Sequence, residues 1–576
     1  MRSILCRRLP GAAATLGGIS TPRSFRNSPA DFLPEALGGL VAAHPQARWD
    51  ERGFVALVDR PAAPGPEAAA DPGPRVAVVS GGGSGHEPLH AGFLGEGMLS
   101  AVCPGLVFTS PNAVQITEAT RWADRGAGVL HVVKNYTGDV MNFRVARQAL
   151  GGEDGVRTRE VRVAEDVATA PGGEGPGRRG TAATLLVEKV VGAAAQRGDD
   201  LDAVADIAQW VADNSRSMAV ALASGHLPAS GARTFDLEEG QMEVGVGIHG
   251  ERGVARDQAA PASEIVDRLL AEVAEDLRLG AGEEVILLVN GLGGTSLLEL
   301  HLLFGQALAW LEGRGVTVRR SLVGNFVTSL TMAGASLTLT RATEEVVGLL
   351  DAPTTAPAWP RALGRQPRYA RAVPSAEDAL PAEGEENAWL SAFVRRVQEG
   401  AGRLTELDRL AGDGDFGANM EAALGDVRLP LRGPDAAVLA GLSRRFLVRS
   451  GGTSGAVLGT LFRELARAAE RDPSPLGLAR GLERGCAAIR ELGGARPGDG
   501  TLLDALQPAA EAAARVAARG EGEDGLLREA YRAAVAGAER TREAVARKGR
   551  ASYVGEASRG VIDPGAVLVT WLFGEE

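Results

Sequence analysis

Apolar runs that end in glycine-rich segments recur along the first 350 residues of the chain. The run Val76–Val79 is apolar and β-branched, which predicts a buried strand, and at Ser80 it gives way to the segment G-G-G-S-G-H-E-P. Glycines leave backbone N–H groups accessible, so such a loop can approach a small polar ligand closely. His86 would place an acid/base group at the edge of this loop. A tight turn with an incidental histidine is the alternative.

The same alternation of strands and helices continues downstream. Further strands are predicted at Val129–Val133, Met242–Ile248 and Val285–Val289. Segments with helical character lie around and between them, at about 27–45, Val140–Ala149, Thr181–Gln196, Leu201–Ala223 and Pro261–Arg278. Strands that alternate with helices predict an α/β architecture with parallel strands at its centre.

The composition changes near Asp351. From there to Gly384 the chain is rich in proline and alanine, which predicts an interdomain linker at 352–385. Beyond it, helical segments rich in Ala, Leu, Glu and Arg follow one another at Trp389–Gly402, Ala436–Arg449, Leu476–Glu491, Leu503–Ala518 and Leu526–Lys548. We therefore predict a multidomain protein with an α/β domain at 25–351 and an all-α domain at 386–576.

Composition excludes several classes of partner. The net charge of −12, a pI near 5.4 and an aromatic content of 4% give no electrostatic or stacking basis for binding nucleic acid or an anionic membrane. Three cysteines without metal-ligand spacing favour a reducing compartment, and no apolar run reaches the ~20 residues of a membrane span. A cytoplasmic location is expected. Residues 1–24, rich in arginine and free of acids, resemble an organellar transit peptide or are simply an irregular, disordered start.

Four groups of the first domain have the chemistry of a substrate site. His86, Lys134, Asp139 and His249 each lie at or just past the carboxyl end of a predicted strand, where open α/β sheets bind ligands. Lysine is rare, with three in 576 residues, so a lysine within a motif is informative. An imidazole nitrogen can add to a carbonyl carbon while a carboxylate or second imidazole takes a hydroxyl proton. Structural histidines are the alternative for each taken alone.

The second domain carries an acidic segment, L-D-R-L-A-G-D-G-D-F. It places Asp408, Asp413 and Asp415 where a helix meets a glycine-broken loop, and carboxylate oxygens at this spacing suit Mg²⁺ shared with substrate phosphates. The spacing differs from the twelve-position calcium loop. A solvated acidic turn is the alternative.

Glycine-rich turns follow in the same domain. S-G-G-T-S-G at 450–455 lies between two helices, and such turns bind phosphate through backbone N–H groups and the helix dipole. No G-x-x-x-x-G-K-[ST] segment occurs, so this is not a P-loop. Arg550 is a candidate for neutralising a transferring phosphoryl group. The segment Asp563–Gly565 predicts a turn, either at the nucleotide site or without a role there.

With these motifs in place, the chain resembles the single-chain ATP-dependent dihydroxyacetone kinases, the triokinase/FMN cyclase-like family. The resemblance runs from about residue 25 to the C-terminus and rests on G-G-G-S-G-H-E-P, K-N-Y-T-G-D, G-I-H-G-E, G-D-G-D, G-G-T-S-G and G-R-A-S-Y-x-G-E-x-S. It implies an N-terminal substrate region of two α/β parts, a C-terminal eight-helix antiparallel barrel and a homodimer.

The resemblance also implies residue roles. His249 would hold dihydroxyacetone as a covalent hemiaminal, with His86 and Asp139 as the acid/base pair. The implied substrate contacts are Gly83, Ser84, Gly85, His86, Lys134 and Asp139. The implied Mg²⁺ ligands are Asp408, Asp413 and Asp415. The implied nucleotide contacts are Asp413, Gly414, Asp415, Phe416, Thr453, Ser454, Gly493, Thr501, Leu502, Arg550, Asp563, Pro564 and Gly565.

Three positions depart from the family pattern. Phe416 stands where Cys or His is usual, Gly500 where a basic residue is common, and Arg252 where proline is usual. The implied activity is ATP-dependent phosphorylation of dihydroxyacetone, and of glyceraldehyde, with Mg²⁺. Two alternatives are an FAD-AMP lyase that forms a cyclic flavin phosphate, using Mn²⁺, and a regulator that binds dihydroxyacetone without turnover.

Overall fold

The computed structural model describes residues 25–58, 74–151, 155–169, 177–371, 378–553 and 555–574. The chain forms two compact units that divide between Arg371 and Ala372. The predicted N-terminal extension, 1–24, lies outside the described residues. No helix among the described residues is both long enough and apolar enough to cross a lipid bilayer.

Six strands form the first sheet of the first unit. They are β1 (Ala47–Asp50), β2 (Phe54–Leu57), β3 (Ala77–Ser84), β4 (Ala101–Val107), β5 (Val129–Lys134) and β6 (Thr158–Val163), in the order β1-β2-β4-β3-β5-β6. β3 pairs in parallel with both β4 and β5, and β5 pairs in parallel with β6. The chain passes from β4 on one side of β3 to β5 on the other. The carboxyl end of β3 is therefore a topological switch point, where α/β sheets bind ligands.

The second sheet has seven strands and is mostly antiparallel. They are β7 (Ser215–Ala223), β8 (Gln241–Val244), β9 (Ala255–Gln258), β10 (Glu284–Gly291), β11 (Thr317–Gly324), β12 (Ala333–Arg341) and β13 (Gly364–Arg365), in the order β13-β11-β10-β12-β7-β8-β9. Only the β10–β11 pair is parallel. The prediction of central parallel strands is thus confirmed for the first sheet and wrong for the second.

Eight α-helices accompany these sheets in the described part of the first unit. They are α1 (Phe32–Ala43), α2 (Ala113–Ala123), α3 (Thr137–Leu150), α4 (Ala183–Arg197), α5 (Leu201–Asp213), α6 (Ala262–Leu277), α7 (Leu297–Glu312) and α8 (Glu344–Asp351). α4 is the most enclosed, because every residue from Ala183 to Ala195 is buried. It packs against β3, β5, β6 and β7, within a hydrophobic core that also includes Ile286 and Leu288 of the second sheet. An apolar helix of this kind carries any charged residue into the interior.

Two predicted boundaries in the first unit were wrong. The helix expected over Leu201–Ala223 ends at Asp213, and the remainder is β7, which pairs with β12 along its length. Alanine, valine and methionine suit either state when buried, so strand pairing decided the outcome. The strand expected to end at Ser80 continues through the glycines to Ser84, because β4 pairs with it throughout. The strand expected at Met242–Ile248 ends at Val244.

The region predicted as a linker, 352–385, is not uniform. Its first part belongs to the first unit: Ala356 and Trp359 are buried in the core around α4, and the Trp359 ring lies 5.7 Å from Nζ of Lys189. β13 also falls in this stretch. Residues 372–377 lie outside the described part of the chain. Leu380 packs against the core of the second unit.

The described part of the second unit contains eight α-helices. They are α9 (Ala388–Ala411), α10 (Phe416–Leu424), α11 (Asp435–Arg449), α12 (Gly452–Arg471), α13 (Pro475–Gly493), α14 (Leu503–Ala518), α15 (Glu523–Thr541) and α16 (Pro564–Phe573). Helices that follow one another in sequence pack together, and α16 also contacts α9. The prediction of a helical C-terminal domain is confirmed.

The end of this unit differs from the prediction in two places. α15 stops at Thr541, although a helix was expected to reach Lys548. The segment Asp563–Gly565, expected to be a turn, begins α16: the Asp563 carboxylate accepts the Ala566 N–H at 2.7 Å, and Pro564 occupies the first turn. A capping aspartate followed by proline is a common helix start.

Candidate functional site

Four aromatic rings meet beyond the carboxyl ends of the strands of the first sheet. The ring centroids of His86 and His249 are 4.8 Å apart, in an edge-to-face arrangement. Phe108, just after β4, stacks on His86 at 5.1 Å, and Tyr136, just after β5, contacts His249 at 4.6 Å. The two histidines predicted from separate motifs are therefore neighbours, although 163 residues separate them in sequence.

His86 is held as a neutral acceptor. It is fully buried, and its Nδ1 donates to the carbonyl oxygen of Thr328 at 2.7 Å. Nε2 has no partner among the described residues. Burial, together with the neighbouring His249 and Lys134, lowers the pKa of His86 well below its usual value. An unprotonated Nε2 inside the site can take a proton from a substrate hydroxyl.

His249 is fixed by a carboxylate two residues away. Its Nδ1 lies 2.8 Å from Oε1 of Glu251, and its backbone N–H donates to Oε2 at 2.9 Å. Burial acts to raise the pKa of Glu251, but the hydrogen bond from His249 and the attraction between them outweigh it and lower that pKa to about 2. The charged carboxylate keeps the proton of His249 on Nδ1, which leaves Nε2 with a free lone pair.

The loop that carries His249 is closed by its own backbone. The N–H of Gly247 donates to the carbonyl of Glu251, and the N–H of Gly250 donates to that of Gly247, both at 3.0 Å. Arg252 is exposed at the rim of this loop. The departure from proline at this position therefore leaves the closed turn around His249 in place.

Lys134 and Asp139 lie below the glycine strand. Nζ of Lys134 is buried 3.3 Å from the carbonyl oxygen of Gly81 and 4.0 Å from Oδ2 of Asp139. A Cβ added at Gly82 would overlap this Nζ, so glycine is needed there for the ammonium to fit. Asp139 is buried in the first turn of α3, and its Oδ1 has no partner among the described residues.

The predicted contacts Gly83, Ser84 and Gly85 have packing roles as well. A Cβ at Gly83 would lie 2.7 Å from the backbone of Phe108, and one at Gly85 would lie 2.9 Å from its ring. Gly85 also has a positive φ of 103°. The Ser84 hydroxyl donates to the carbonyl of Gly105 at 2.7 Å. These three residues shape the turn that carries His86 and the stacking surface of Phe108.

In the second unit, the three predicted metal ligands come together. Asp408 lies in the last turn of α9, and Asp413 and Asp415 lie in the turn before α10. Ligand oxygens of the three lie within 4.8 Å of one another. Asp408 is buried and one of its oxygens accepts the Phe416 N–H at 3.0 Å. Burial raises the pKa of Asp408, as do the two neighbouring carboxylates. Clustered carboxylate oxygens are the donor set that Mg²⁺ prefers, so the residues present fit this ion.

A cavity of about 200 Å³ adjoins the three aspartates. Of the predicted nucleotide contacts, it is lined by Asp413, Asp415, Phe416, Thr453, Ser454, Gly493, Thr501, Leu502, Arg550, Asp563, Pro564 and Gly565. Gly414 does not line it but forms the turn between two of the aspartates, with a φ of 78°. The predicted contacts come from six separate stretches of the sequence, and these therefore meet in one cavity.

The walls of this cavity present groups suited to phosphate. Thr453 and Ser454 lie in the first turn of α12, whose backbone N–H groups point out of the helix end. Nη1 of Arg550 lies 2.7 Å from Oδ2 of Asp413, and both side chains are well exposed. An exposed ion pair is weak, so the guanidinium can turn to a ligand at little cost.

The segment that contains Gly500 is shaped by Asp504. This buried carboxylate accepts the N–H groups of Gly498 and Thr501. Gly500 has a φ of 69°, and a Cβ there would lie 3.2 Å from Cα of Ala546. A basic residue at this position would be strained. Lys548 lines the same cavity and offers a cation there.

Sequence reasoning missed several site residues. Phe108 follows β4 in a segment that carries no motif. Tyr136 lies in the motif K-N-Y-T-G-D and Glu251 in G-I-H-G-E, but neither was assigned a role. His90 and Glu188 form a buried pair, with Nδ1 of His90 2.5 Å from Oε1 of Glu188. The one available signal was a charged pair, Glu188–Lys189, within an apolar helix.

Comparison with known proteins agrees with this arrangement. The Dak1 domain family matches residues 38–358, and the DAK2 domain family matches residues 410–575. Triokinase/FMN cyclase of Bos taurus is 38% identical over an alignment of 576 positions, which covers 95% of this chain and 97% of the relative. L-erythrulose 1-kinase of Mycolicibacterium smegmatis is 36% identical over 573 residues, with the same two coverages.

A solved structure is similar over the same extent. The dihydroxyacetone kinase of C. freundii in complex with AMP-PNP and Mg²⁺ is 29% identical, with a TM-score of 0.59 over 96% of this chain and 99% of that chain. One family matches more than half of the chain, and a 38% identical relative spans nearly all of both sequences. The protein therefore belongs to the single-chain dihydroxyacetone kinase family of phosphotransferases.

Proposed function

We propose that the protein transfers the γ-phosphoryl group of ATP to a hydroxyl of dihydroxyacetone, and of glyceraldehyde. The observation that carries this proposal is the pair of His249 and His86. Nδ1 of His249 contacts the Glu251 carboxylate, which leaves Nε2 of that ring for the substrate. Nε2 of His86 is buried and has no partner among the described residues. This pair can hold a carbonyl and deprotonate a hydroxyl. The second unit supplies an acidic cluster beside a cavity.

In the proposed reaction, His249 first binds the substrate covalently. Its Nε2 adds to the carbonyl carbon, a C–N bond forms, the C=O π bond breaks, and the oxygen takes a proton from solvent to become a hydroxyl, which leaves one positive charge on the ring. The Glu251 carboxylate stabilises the positive charge that develops on the ring. Because only a ketone or aldehyde forms this hemiaminal, the site selects trioses with a carbonyl and rejects glycerol.

The hydroxyl that attacks ATP then needs a proton acceptor. His86 and Asp139 supply unpartnered acceptor atoms, Nε2 and Oδ1, in the same buried region. Burial keeps His86 neutral at physiological pH, so Nε2 is available without a prior deprotonation. Lys134 provides an ammonium beside Asp139 to bind a substrate oxygen. General base assistance of this kind contributes about 10²- to 10⁴-fold in rate.

Asp408, Asp413 and Asp415 would hold Mg²⁺, which neutralises phosphate charge and orients the phosphate chain when bound. The N-terminus of α12 would bind phosphate oxygens through its N–H groups. Arg550 and Lys548 would offset the charge on the transferring group. The relative solved with AMP-PNP and Mg²⁺ supports this assignment.

Release of ADP tests the proposal directly. With ATP and Mg²⁺, we expect turnover with dihydroxyacetone and glyceraldehyde and close to none with glycerol, because glycerol has no carbonyl. L-erythrulose should be included, since a relative bears that name. Dihydroxyacetone that binds without release of ADP would favour the non-catalytic regulator. Equal turnover of glycerol would exclude the covalent step.

Substituting Gly82 with alanine is expected to raise KM for dihydroxyacetone more than it changes kcat for ATP-saturated enzyme. The added Cβ would overlap Nζ of the buried Lys134, and Gly82 is held in the sheet by its pairing with β4, opposite Pro104. Gly38→Ala is the matched control, because a Cβ there meets nothing within 4 Å. Steady-state kinetics of both variants decide the point. An unchanged KM in Gly82→Ala would remove Lys134 from the substrate contacts.

A second activity is proposed for the second unit alone: splitting of FAD into AMP and a cyclic flavin phosphate, with Mn²⁺. The observation that favours it is the close similarity to triokinase/FMN cyclase over nearly the whole chain. It would use the three aspartates and not His249. AMP release from FAD should therefore persist in His249→Ala, and its absence in the native protein would exclude this activity.

We also propose two features of architecture on the basis of the resemblance to the family. The eight helices of the second unit form a closed antiparallel barrel, supported by the contact of α16 with α9. The protein assembles as a homodimer, which sedimentation velocity of the full chain would test.

A further inference from the structure

A buried chain of polar groups runs beneath the glycine strand, and two of its members, His90 and Glu188, have no part in the mechanism described so far. Oε1 of Glu188, on α4, lies 2.5 Å from Nδ1 of His90. Nε2 of the same imidazole lies 2.6 Å from Nζ of Lys134. All three side chains are almost completely buried. The chain therefore joins the centre of the core helix to the substrate site through one imidazole.

The donor and acceptor properties of these groups assign the protons of the chain. A lysine ammonium has only donors, so Nζ of Lys134 donates to Nε2 of His90. Nδ1 of that ring then carries its proton and donates to Glu188. Ser80 adds a hydroxyl 3.1 Å from Nδ1 while donating to the carbonyl of Val132. Burial and the nearby Lys134 lower the pKa of His90 well below its usual value, which keeps the ring neutral and able to donate and accept at once.

The charges explain why such a chain matters. The titratable groups facing Lys134 are Asp139 on α3, His86 and His90 after β3, and Glu188 on α4. Its direct contacts, Gly81 and His90, are both neutral. Burial lowers the pKa of Lys134, and the two carboxylates oppose this. Burial also acts to raise the pKa of Glu188, and the attraction of Lys134 and the nearby Ser80 hydroxyl oppose this and favour the charged carboxylate.

We propose that Glu188 and His90 are positioning residues that keep Lys134 in place and charged during turnover. The inference rests on the proposed function, in which Asp139 accepts a hydroxyl proton. When Asp139 is protonated, Lys134 loses the carboxylate nearest to it, 4.0 Å away. Glu188, acting through the imidazole, is then its remaining counter-charge. The ammonium thus stays available to hold the substrate oxygen.

A purely structural role accounts poorly for the same residues. Every neighbour of Glu188 along α4 from Ala183 to Val187 is buried, and all but Thr184 are apolar. Replacing a buried ion pair by well-packed apolar residues is often neutral or stabilising. The presence of buried charges at this place therefore points to a functional demand on Lys134.

Lysine NMR tests the proposal without any assay of catalysis. The chain has only three lysines, Lys134, Lys189 and Lys548, so a protein labelled with ¹³C at lysine Cε gives three signals, assigned with Lys189→Arg and Lys548→Arg. In Glu188→Gln, which keeps the size of the side chain, we expect the pKa of Lys134 to fall by about one unit or more. An unchanged titration of Lys134 would overturn the proposal.

Asp50→Asn is the matched control for this experiment. Asp50 is also buried and charged, but its partners are Arg48 and Arg52 on the first hairpin. Its removal should leave the titration of Lys134 unchanged. An equal shift in both variants would show a general effect of lost charge and would contradict a specific role of Glu188.

The pH profile of kcat/KM is the second measurement. Lys134 must be protonated to act, so activity falls as pH rises through its pKa. In Glu188→Gln this alkaline limb should move to lower pH by the shift in pKa seen in NMR.

Variants of His90 test the link between Glu188 and Lys134. His90→Gln, which retains a donor and an acceptor, should keep more activity than His90→Leu; equal losses of activity would contradict a role of the imidazole in this link. Absence of kinase activity in the native protein would refute the proposed function. The NMR titration would still show whether Glu188 raises the pKa of Lys134.

Discussion

Replacing His249 with alanine is expected to lower kcat/KM for dihydroxyacetone by about 10³-fold or more. The substitution removes the nitrogen that would anchor the substrate, and with it the alignment of the attacking hydroxyl beside His86. The ring is 19% exposed and packs against Phe108 and Tyr136, so its loss opens space at the site without disturbing a core. Initial rates of ADP release over a range of dihydroxyacetone concentrations measure the effect.

Two comparisons make this result specific. His301→Ala changes an exposed histidine on α7 and should leave kcat/KM unchanged. Glu251→Gln keeps the shape of the loop but removes the carboxylate charge beside Nδ1 of His249. We expect its kcat/KM to fall less than that of His249→Ala. Intact-protein mass spectrometry of samples mixed with dihydroxyacetone at low temperature, without borohydride reduction, should detect the triose adduct in the native protein and not in His249→Ala. Native-like activity in His249→Ala would eliminate the hemiaminal.

Replacing Asp415 with asparagine is expected to reduce kcat by about 10²-fold or more and to raise the Mg²⁺ concentration needed for half-maximal rate. Asp415 is exposed, and its side chain caps no helix. The change therefore removes one oxygen charge from the cluster with Asp408 and Asp413 and leaves local structure intact. Rates measured across a Mg²⁺ titration at saturating ATP separate affinity from turnover.

Glu406→Gln is the control for this variant. It lies on the same helix, α9, is also exposed, pairs with Arg409 at 2.7 Å, and is not among the clustered carboxylates. Its removal should change neither kcat nor the Mg²⁺ dependence. If Asp415→Asn behaved like this control, the three carboxylates would not be the metal site.

The sequence indicated which residues are candidates for the site but not how they are arranged. His86, Lys134, Asp139 and His249 could be named because each lies at or just past the carboxyl end of a predicted strand, and both histidines lie beside glycine. The local pattern could not show that His249 returns to His86, because that approach depends on how the second sheet packs onto the first. The partner of Nδ1, Glu251, was visible in the motif but had no assigned role.

Residues recruited from helices were the least predictable. Glu188 and His90 meet only because α4 crosses beneath β3, and no spacing rule relates residues 98 positions apart. The strand β7 was mistaken for a helix for a related reason: its hydrogen bonds come from β12, more than 100 residues later. In the second unit, Asp563 begins a helix because it caps Ala566, a choice that a D-P-G segment alone leaves open.

The enclosure of α4 has a consequence for how the protein can be improved. Its centre carries Glu188 and Lys189, two ionisable side chains at a place where leucine or methionine would pack without a desolvation cost. Engineering that ranks substitutions by folding free energy alone would favour removing them. Such a variant would unfold at a higher temperature, but Lys134 would no longer be held in position and protonated. In this fold, thermal robustness and catalytic competence compete for the same turn of one helix.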